Sequence, residues 1–333
     1  MSRAGLLQGM ASGLHRAGLS GGMVAAAGWV RRAPAFVILT YHRVNDYGDP
    51  FFAATPTHVF ERQMRHLARH YVVMPVEDLV DRLAAGTVPR NAAAITFDDG
   101  YRDTLTHAAP ILAAHGLPAT VFLASGFIGT TEIPWYDRLA AAFKLSPRSS
   151  VITPSGETFP LETMDARLVA LARVQRQLKA LPEEEFRRTF HRVLETLDVG
   201  GRQSAKNAML DWSDVHALRG LGFRIGAHTV THPILSRVTP ARARAEILGS
   251  REMIQSACGT APRAFAYPNG GARDYTAAVV DIVREAGFSC AVTTRFGVNT
   301  VGTSPWELRR GQPWEEHLPT FALKLAWYRM TLR

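Results

Sequence analysis

The sequence predicts an α/β fold, a distorted (β/α) barrel of about seven parallel strands with a helical insertion. Short apolar runs recur along the chain, and segments whose apolar residues follow helical spacing separate them. The runs are apolar throughout rather than alternating, which is typical of parallel strands covered by helices. The alternation is interrupted once, over about residues 130–211, where helical patterns follow one another. A doubly wound open sheet is the alternative with the same pattern.

The apolar runs define the strands in order. The predicted strands cover residues 36–40, 72–75, 92–96, 119–123, 223–227, 264–267 and 289–293. Their content of Val, Ile, Phe and Ala and the absence of alternation favour strands buried on both faces. The predicted helices cover residues 57–69, a segment through Leu79 and Leu83, and residues 101–115, 168–178, 182–197, 212–218, 240–257 and 276–286.

Terminal residues support several of these helices. Thr57 is the residue type expected at an N-cap, and the apolar residues Phe60 and Met64 follow it at helical spacing. Gly116 is placed to end the helix that starts near residue 101. Pro182, followed by three glutamates, is typical of a helix N-terminus. The insertion is therefore predicted to be helical, and a helical hairpin packed on the side of the barrel is the simplest arrangement.

The length and the net charge of the chain limit its domain organisation and its possible binding partners. The 333 residues suit a barrel domain at 35–333, containing the insertion and preceded by a basic extension at 1–34. The net charge of +9 is compatible with an anionic glycan, anionic lipid or nucleic acid. Nucleic acid is disfavoured because no recognised nucleic-acid motif and no long Lys/Arg run is present. Cys258 and Cys290 are isolated in apolar contexts, which favours buried free thiols over a disulfide.

The N-terminal region bears on localisation. Its apolar run at residues 23–30 is too short to span a bilayer, and no signal-peptide cleavage site stands out. We therefore expect a cytoplasmic protein, with peripheral contact to the inner face of the membrane through the basic ends. A loosely docked extension is the alternative.

Polar residues follow four of the predicted strands. His42 ends the first, Asp98 and Asp99 end the strand at 92–96, His228 ends the strand at 223–227, and Tyr267 to Gly270 follow the strand at 264–267. In a parallel barrel the carboxyl ends of the strands meet at one face. The sequence therefore predicts that these groups converge on one site.

The converging residues suit a catalytic metal. His228 and His232 are four residues apart, and one carboxylate would complete a His₂Asp set with open coordination positions. Zinc is the default ion, and Co²⁺ or Fe²⁺ also fits such a set. The second carboxylate is then available as a general base. Spacing alone leaves open which aspartate takes which role.

The segments Thr96-Phe97-Asp98-Asp99-Gly100 and His228-Thr229-x-x-His232 together resemble the polysaccharide deacetylase family, the NodB-homology domain of carbohydrate esterase family 4. The resemblance extends over about residues 36–311. It implies a distorted (β/α) barrel and metal-dependent hydrolysis of N-acetyl groups, usually on N-acetylglucosamine units, with release of acetate. It also implies that Asp98 is the base and that Asp99, His228 and His232 bind the metal.

Two departures from the family pattern lead to further predictions. Ala266 occupies the place of the arginine that orients the base, so Arg309 or Arg310 is predicted to pair with Asp98 instead. The segment Leu308-Arg309-Arg310 has no histidine where many members have a general acid. His42 is therefore predicted to be the acid, with a backbone-bonded histidine as the alternative.

The remaining predicted contacts concern the substrate. A backbone N–H near Asn269, in the segment that begins at Tyr267, is predicted to stabilise the oxyanion. Trp135, Tyr136 and Trp306 are candidates for stacking on sugar rings, although tryptophan is common in cores. The alternatives for function are an O-acetyl esterase, another amide deacylase, or a catalytically idle glycan-binding or membrane scaffold.

Overall fold

The computed structural model describes residues 34–200, 208–313 and 315–331. The strands of its main sheet are β1 Ala35–Tyr41, β2 Val72–Val73, β3 Ala92–Phe97, β4 Thr120–Leu123, β7 Arg224–Ala227, β8 Ala264–Ala266, β9 Cys290–Val292 and β10 Asn299–Thr300. They lie in the order β10-β1-β3-β4-β7-β8-β9, and β2 pairs beside the start of β3. All neighbouring pairs are parallel except β1 with β10. A separate hairpin consists of β5 Ser150–Ile152 and β6 Thr158–Pro160.

A short segment near residue 310 connects the two ends of the sheet. Leu308 forms a parallel bridge with Val292 of β9, and Gly311 forms one with Leu39 of β1. The sheet is therefore a distorted barrel, and the prediction of about seven parallel strands is confirmed.

Successive residues of β1 pack into two different buried clusters, which explains why the strand is apolar throughout. Phe36 and Ile38 pack with Phe122 of β4 in one cluster, whereas Val37 and Leu39 belong to the cluster formed with the surrounding helices. Each face of the strand is covered, so polar residues are excluded from both.

Helices cover the outside of the sheet, and those between residues 135 and 197 form the insertion. They are α1 Thr57–His70, α2 Val76–Ala84, α3 Ala109–Ala114, α4 Trp135–Leu145, α5 Met164–Ala180, α6 Glu183–Leu197, α7 Trp212–Gly220, α8 Pro240–Cys258, α9 Ala277–Glu285 and α10 Leu318–Thr331. The single helix predicted at 101–115 is instead a π-helical turn, Thr104–Ala108, followed by α3. Pro110 lacks the N–H that a continuous α-helix would require there, which accounts for the local widening.

The N-cap prediction for Thr57 is wrong. Pro56 is the N-cap, and the Thr57 backbone N–H donates to Asp46 Oδ1 at 2.8 Å. The Thr57 hydroxyl also donates to Asp46. A carboxylate eleven residues earlier therefore performs the role expected of the threonine side chain.

The insertion has its own apolar core. Helices α4, α5 and α6 and the β5–β6 hairpin form a cluster of buried residues separate from the barrel clusters, with Phe143, Val174 and Phe190 among its members. Several of its residues also line the cleft at the carboxyl ends of the strands, including Tyr136 and Lys179. The insertion therefore borders the site rather than packing only on the side of the barrel.

The N-terminal region, the possibility of a membrane span and the two cysteines were further subjects of the sequence predictions. Residues 1–33 of the predicted basic extension lie outside the described residues. Among the described helices, none is long and apolar enough to cross a bilayer. Cys258 and Cys290 are buried free thiols.

Candidate metal centre and active site

The turn after β3 orients two adjacent carboxylates. Asp99 and Gly100 both have positive φ, at 74° and 89°. The φ of Gly100 is one that residues with a side chain rarely adopt, so the backbone conformation favours glycine there. The left-handed conformation at Asp99 is uncommon for a residue with a side chain and is typical of functional sites. As a result, Asp98 and Asp99 contact different partners.

Asp99 faces the two predicted histidines. Its Oδ1 lies 3.5 Å from His228 Nε2 and 3.5 Å from His232 Nε2, and all three side chains are buried. One ligand atom from each residue lies within 4.8 Å of the others. Ligands about 2.1 Å from a tetrahedral ion are about 3.4 Å apart, so the spacing suits a divalent metal.

The hydrogen bonds of the cluster also suit a cation. Asp99 Oδ1 accepts no hydrogen bond from any described residue, although it is buried. His228 Nδ1 donates to the carbonyl oxygen of Ala266 at 2.7 Å, which leaves its Nε2 as the acceptor facing Asp99. A buried carboxylate without a donor is costly, and a cation would compensate it.

The pKa values of Asp99, His232 and His228 also suit a cation. Burial would raise the pKa of Asp99, but its histidine neighbours outweigh burial and hold that pKa far below its usual range. Burial and the neighbouring His228 lower the pKa of His232 to about 3. Burial opposes protonation of His228 as well, but the neighbouring carboxylates of Asp99 and Asp98 raise its pKa. A single positive charge beside Asp99 is therefore favoured.

A buried glutamate of α8 fixes the loop between the two histidines. Glu246 Oε2 accepts hydrogen bonds from the backbone N–H groups of Val230 and Thr231, both at 2.8 Å. Its Oε1 lies 2.6 Å from Arg242 Nη2. Within this loop Thr229 and His232 have positive φ, so the backbone conformation that brings His232 to Asp99 depends on these contacts.

Asp98 is held by a buried arginine from the segment that closes the barrel. Arg310 Nη1 and Nη2 donate to the two carboxylate oxygens of Asp98 at 2.8 and 2.7 Å. Arg310 Nε also donates to the carbonyl oxygen of Thr293 at 2.8 Å. Burial alone would raise the pKa of Asp98, but the Arg310 charge and its hydrogen bonds lower it. Asp98 is thus kept as an oriented carboxylate.

The other two predicted catalytic residues lie in different positions. His42 Nε2 is 4.0 Å from Asp98 Oδ2, and its side chain is 44% exposed at the cleft. Arg309 lies against Gly297, since its Cδ is 2.5 Å from where a Cβ on that glycine would be, and both carboxylate oxygens of Asp98 are bonded to Arg310. The structure therefore brings His42 and Arg310, but not Arg309, to the aspartate.

The predicted oxyanion segment also lines the cleft. Asn269 has a φ of 57°, and its buried Nδ2 donates no hydrogen bond within the described part of the chain. Tyr267 lines the same cleft, but its hydroxyl donates to the carbonyl oxygen of Trp306 at 2.9 Å. The free donor of this segment is therefore on Asn269.

The predicted stacking residues have separate environments. Tyr136 lines the cleft, and its ring packs edge-on against His232 with centroids 5.0 Å apart. Trp135 packs against Tyr136 and Phe186 and lines a neighbouring cavity instead of the cleft. Trp306 Nε1 donates to the carbonyl oxygen of Phe288, and its ring packs against the main core.

Sequence reasoning missed three charged residues that line the cleft, which has a volume of about 300 Å³. Arg43 pairs with Asp137 of the insertion at 2.7 Å, and its guanidinium lies over the Tyr101 ring. Lys179 extends from the end of α5. Arg43 could have been identified from its position next to His42, whereas Asp137 and Lys179 of the insertion reach the cleft only through tertiary packing.

Comparison with known proteins gave one family and several related folds. The sequence matches the model of a family described as polysaccharide deacetylase over residues 85–149 and 163–291. No curated protein matched the chain. Among solved structures, the deacetylase PplD from Streptococcus pyogenes, solved with acetate, is 17% identical and has a TM-score of 0.60, covering 88% of this chain and 99% of that chain. IcaB from Ammonifex degensii is 20% identical with a TM-score of 0.56, covering 88% and 97%. At these identities the similarity establishes the fold.

Proposed function

The chain belongs to the polysaccharide deacetylase family, and from this premise we propose that it hydrolyses the N-acetyl groups of N-acetylglucosamine units in a poly- or oligosaccharide or a lipid-linked glycan, releasing acetate. The observation that carries the proposal is the division of partners between the two adjacent aspartates. Asp99 faces two histidines, whereas Asp98 is held by an arginine. Such a division supplies a cation site and a base at neighbouring positions.

Asp99, His228 and His232 are proposed to hold a divalent metal, with zinc as the default and Co²⁺ or Fe²⁺ as alternatives. When bound, such an ion would polarise the acetyl carbonyl and make water easier to deprotonate. The chain contributes the buried ligands, the Ala266 carbonyl that orients His228, and Glu246, which holds the intervening loop.

The protons of the reaction can be assigned to side chains of the cleft. Asp98 accepts a proton from the water that attacks the acetyl carbon. Asn269 donates, through its Nδ2 or its backbone N–H, to the oxygen that gains charge. His42, 4.0 Å from Asp98, donates a proton to the sugar nitrogen as the carbon–nitrogen bond breaks. The products are acetate and a free amine.

The test is acetate release from an N-acetylated chito-oligosaccharide, measured with purified protein after chelation and after addition of zinc or cobalt. We expect release only with metal. If no acetylated sugar, soluble or lipid-linked, yields acetate in either condition, the enzyme proposal is wrong and a binding scaffold becomes the better explanation.

We expect His42→Ala to lower kcat by about 100-fold, because the leaving amine then lacks a positioned acid. His216→Ala, at an exposed position of α7, is the control and should behave like the unmodified protein. Full turnover of His42→Ala at every pH would exclude the acid role.

A further inference from the structure

A second cavity, of about 530 Å³, adjoins the cleft on the other side of His232. It lies between the insertion and the loop that carries the metal-binding histidines. Its lining is largely apolar, with Trp135, Leu181 and Phe186 from the insertion and Ile234 from the loop. Two residues, Lys179 and His232, line both the cavity and the cleft. The cavity is therefore adjacent to the site of the proposed chemistry, with Lys179 and His232 at the boundary.

The charged residues of the cavity are mostly basic. Arg138, Lys179, Arg187, Arg237 and Arg242 line it, against the two acids Glu132 and Glu183. Glu183 pairs with Arg187 and Arg242, at 2.6 and 3.6 Å. Within the part of the chain that the structure describes, Lys179 and Arg237 form no salt bridge. Positive charge is therefore available beside an apolar interior.

This combination does not suit a free glycan. Sugar hydroxyls require polar partners when they are removed from water, and the aromatic and aliphatic part of the lining offers none, because the polar groups of the cavity are mainly charged side chains. The apolar interior suits a hydrocarbon chain, since burying each CH₂ is worth about 0.8 kcal/mol. The cations suit an anionic group such as phosphate, which forms strong charge-assisted hydrogen bonds with Lys and Arg.

We propose that the cavity binds the hydrocarbon chain of a lipid-linked substrate, with the sugar in the cleft and the linking phosphate at Lys179 and Arg237. The order of cleft, Lys179 and cavity matches the order of sugar, phosphate and chain in such a molecule. This inference rests on the proposed deacetylase function, because it assigns the aglycone of the same substrate.

The first test is calorimetric titration of the full chain with farnesyl phosphate, farnesol and inorganic phosphate. Farnesyl phosphate should bind at least tenfold more tightly than either of the others. Phe186→Ser and Ile234→Ser, on opposite sides of the cavity, should each weaken that binding about tenfold, and Arg237→Gln about fivefold. The controls are Val169→Ser and Arg188→Gln, at exposed positions of α5 and α6, which should bind like the unmodified protein. Two apolar variants are included because one of them could disturb folding.

The second test separates this inference from the proposed function. N-acetylglucosamine linked through phosphate to a farnesyl chain should be deacetylated with a KM at least tenfold below that of N-acetylglucosamine 1-phosphate, and Phe186→Ser should reduce this preference.

Acetate release from soluble sugars without any binding of farnesyl phosphate would overturn the inference and leave the function intact. Binding of farnesyl phosphate without acetate release from any substrate would support the cavity assignment and overturn the deacetylase. Faster hydrolysis of N-octanoyl than of N-acetyl glucosamine would assign the cavity to a long acyl group and overturn the lipid-linked substrate.

Discussion

Asp98→Asn is expected to lower kcat by about 1,000-fold while leaving metal binding unchanged. The amide cannot accept the proton from water, and general-base catalysis typically contributes about 10²–10⁴-fold. The metal should remain because Asp98 pairs with Arg310, whereas Asp99 faces the histidines. Kinetics of acetate release and metal content per chain after dialysis are the two measurements.

Asp99→Asn is the matched comparison, because it changes the neighbouring carboxylate in the same way. It should lose metal and thereby activity, since an amide is a poor ligand beside two histidines. The assignment of roles would be overturned if Asp98→Asn retained activity within tenfold, or if Asp99→Asn kept the metal as tightly as the unmodified protein.

The fold could be predicted from local sequence because its strands are buried on both faces. Runs such as Ala92 to Ile95 are apolar for that reason, and a continuous apolar run between helical patterns has few other interpretations. The segment Leu308 to Gly311 escaped recognition as part of the barrel. It contains two consecutive arginines and contacts its neighbours through single bridges, so it has no strand-like pattern.

The candidate site was predictable where its residues follow strands. His42, Asp98 and His228 could be brought together from the rule that parallel strands end at one face. Glu246 and Lys179 could not, because each reaches the site from the side of a distant helix. The choice between Arg309 and Arg310 also required the structure, since it depends on which side chain points into the barrel.

Arg310→Met is expected to cost about 3–5 kcal/mol in the free energy of unfolding at neutral pH, because it leaves a buried carboxylate unpaired. Without Arg310, burial is the largest remaining influence on Asp98, so its pKa should rise. The base is then protonated over more of the pH range, so the acid limb of kcat/KM should move to higher pH. Urea denaturation and a pH–rate profile measure the two effects. Arg309→Met is the control and should leave the acid limb in place, because Arg310 is bonded to both carboxylate oxygens of Asp98.

The free energies of unfolding of Arg310→Met and Asp98→Asn should depend differently on pH. In Arg310→Met the loss of stability should shrink as the pH falls, because Asp98 can take up a proton and become neutral. In the unmodified protein the depressed pKa of Asp98 acts in the opposite direction, since its stabilising contribution is present at higher pH and lost as the pH falls. Arg310 cannot lose its proton, so the free energy of unfolding of Asp98→Asn should carry no pH dependence from this pair, and its deficit relative to the unmodified protein should shrink as the pH falls. If the free energies of unfolding of the two variants had the same pH dependence, a buried pair in which only the aspartate titrates would be contradicted.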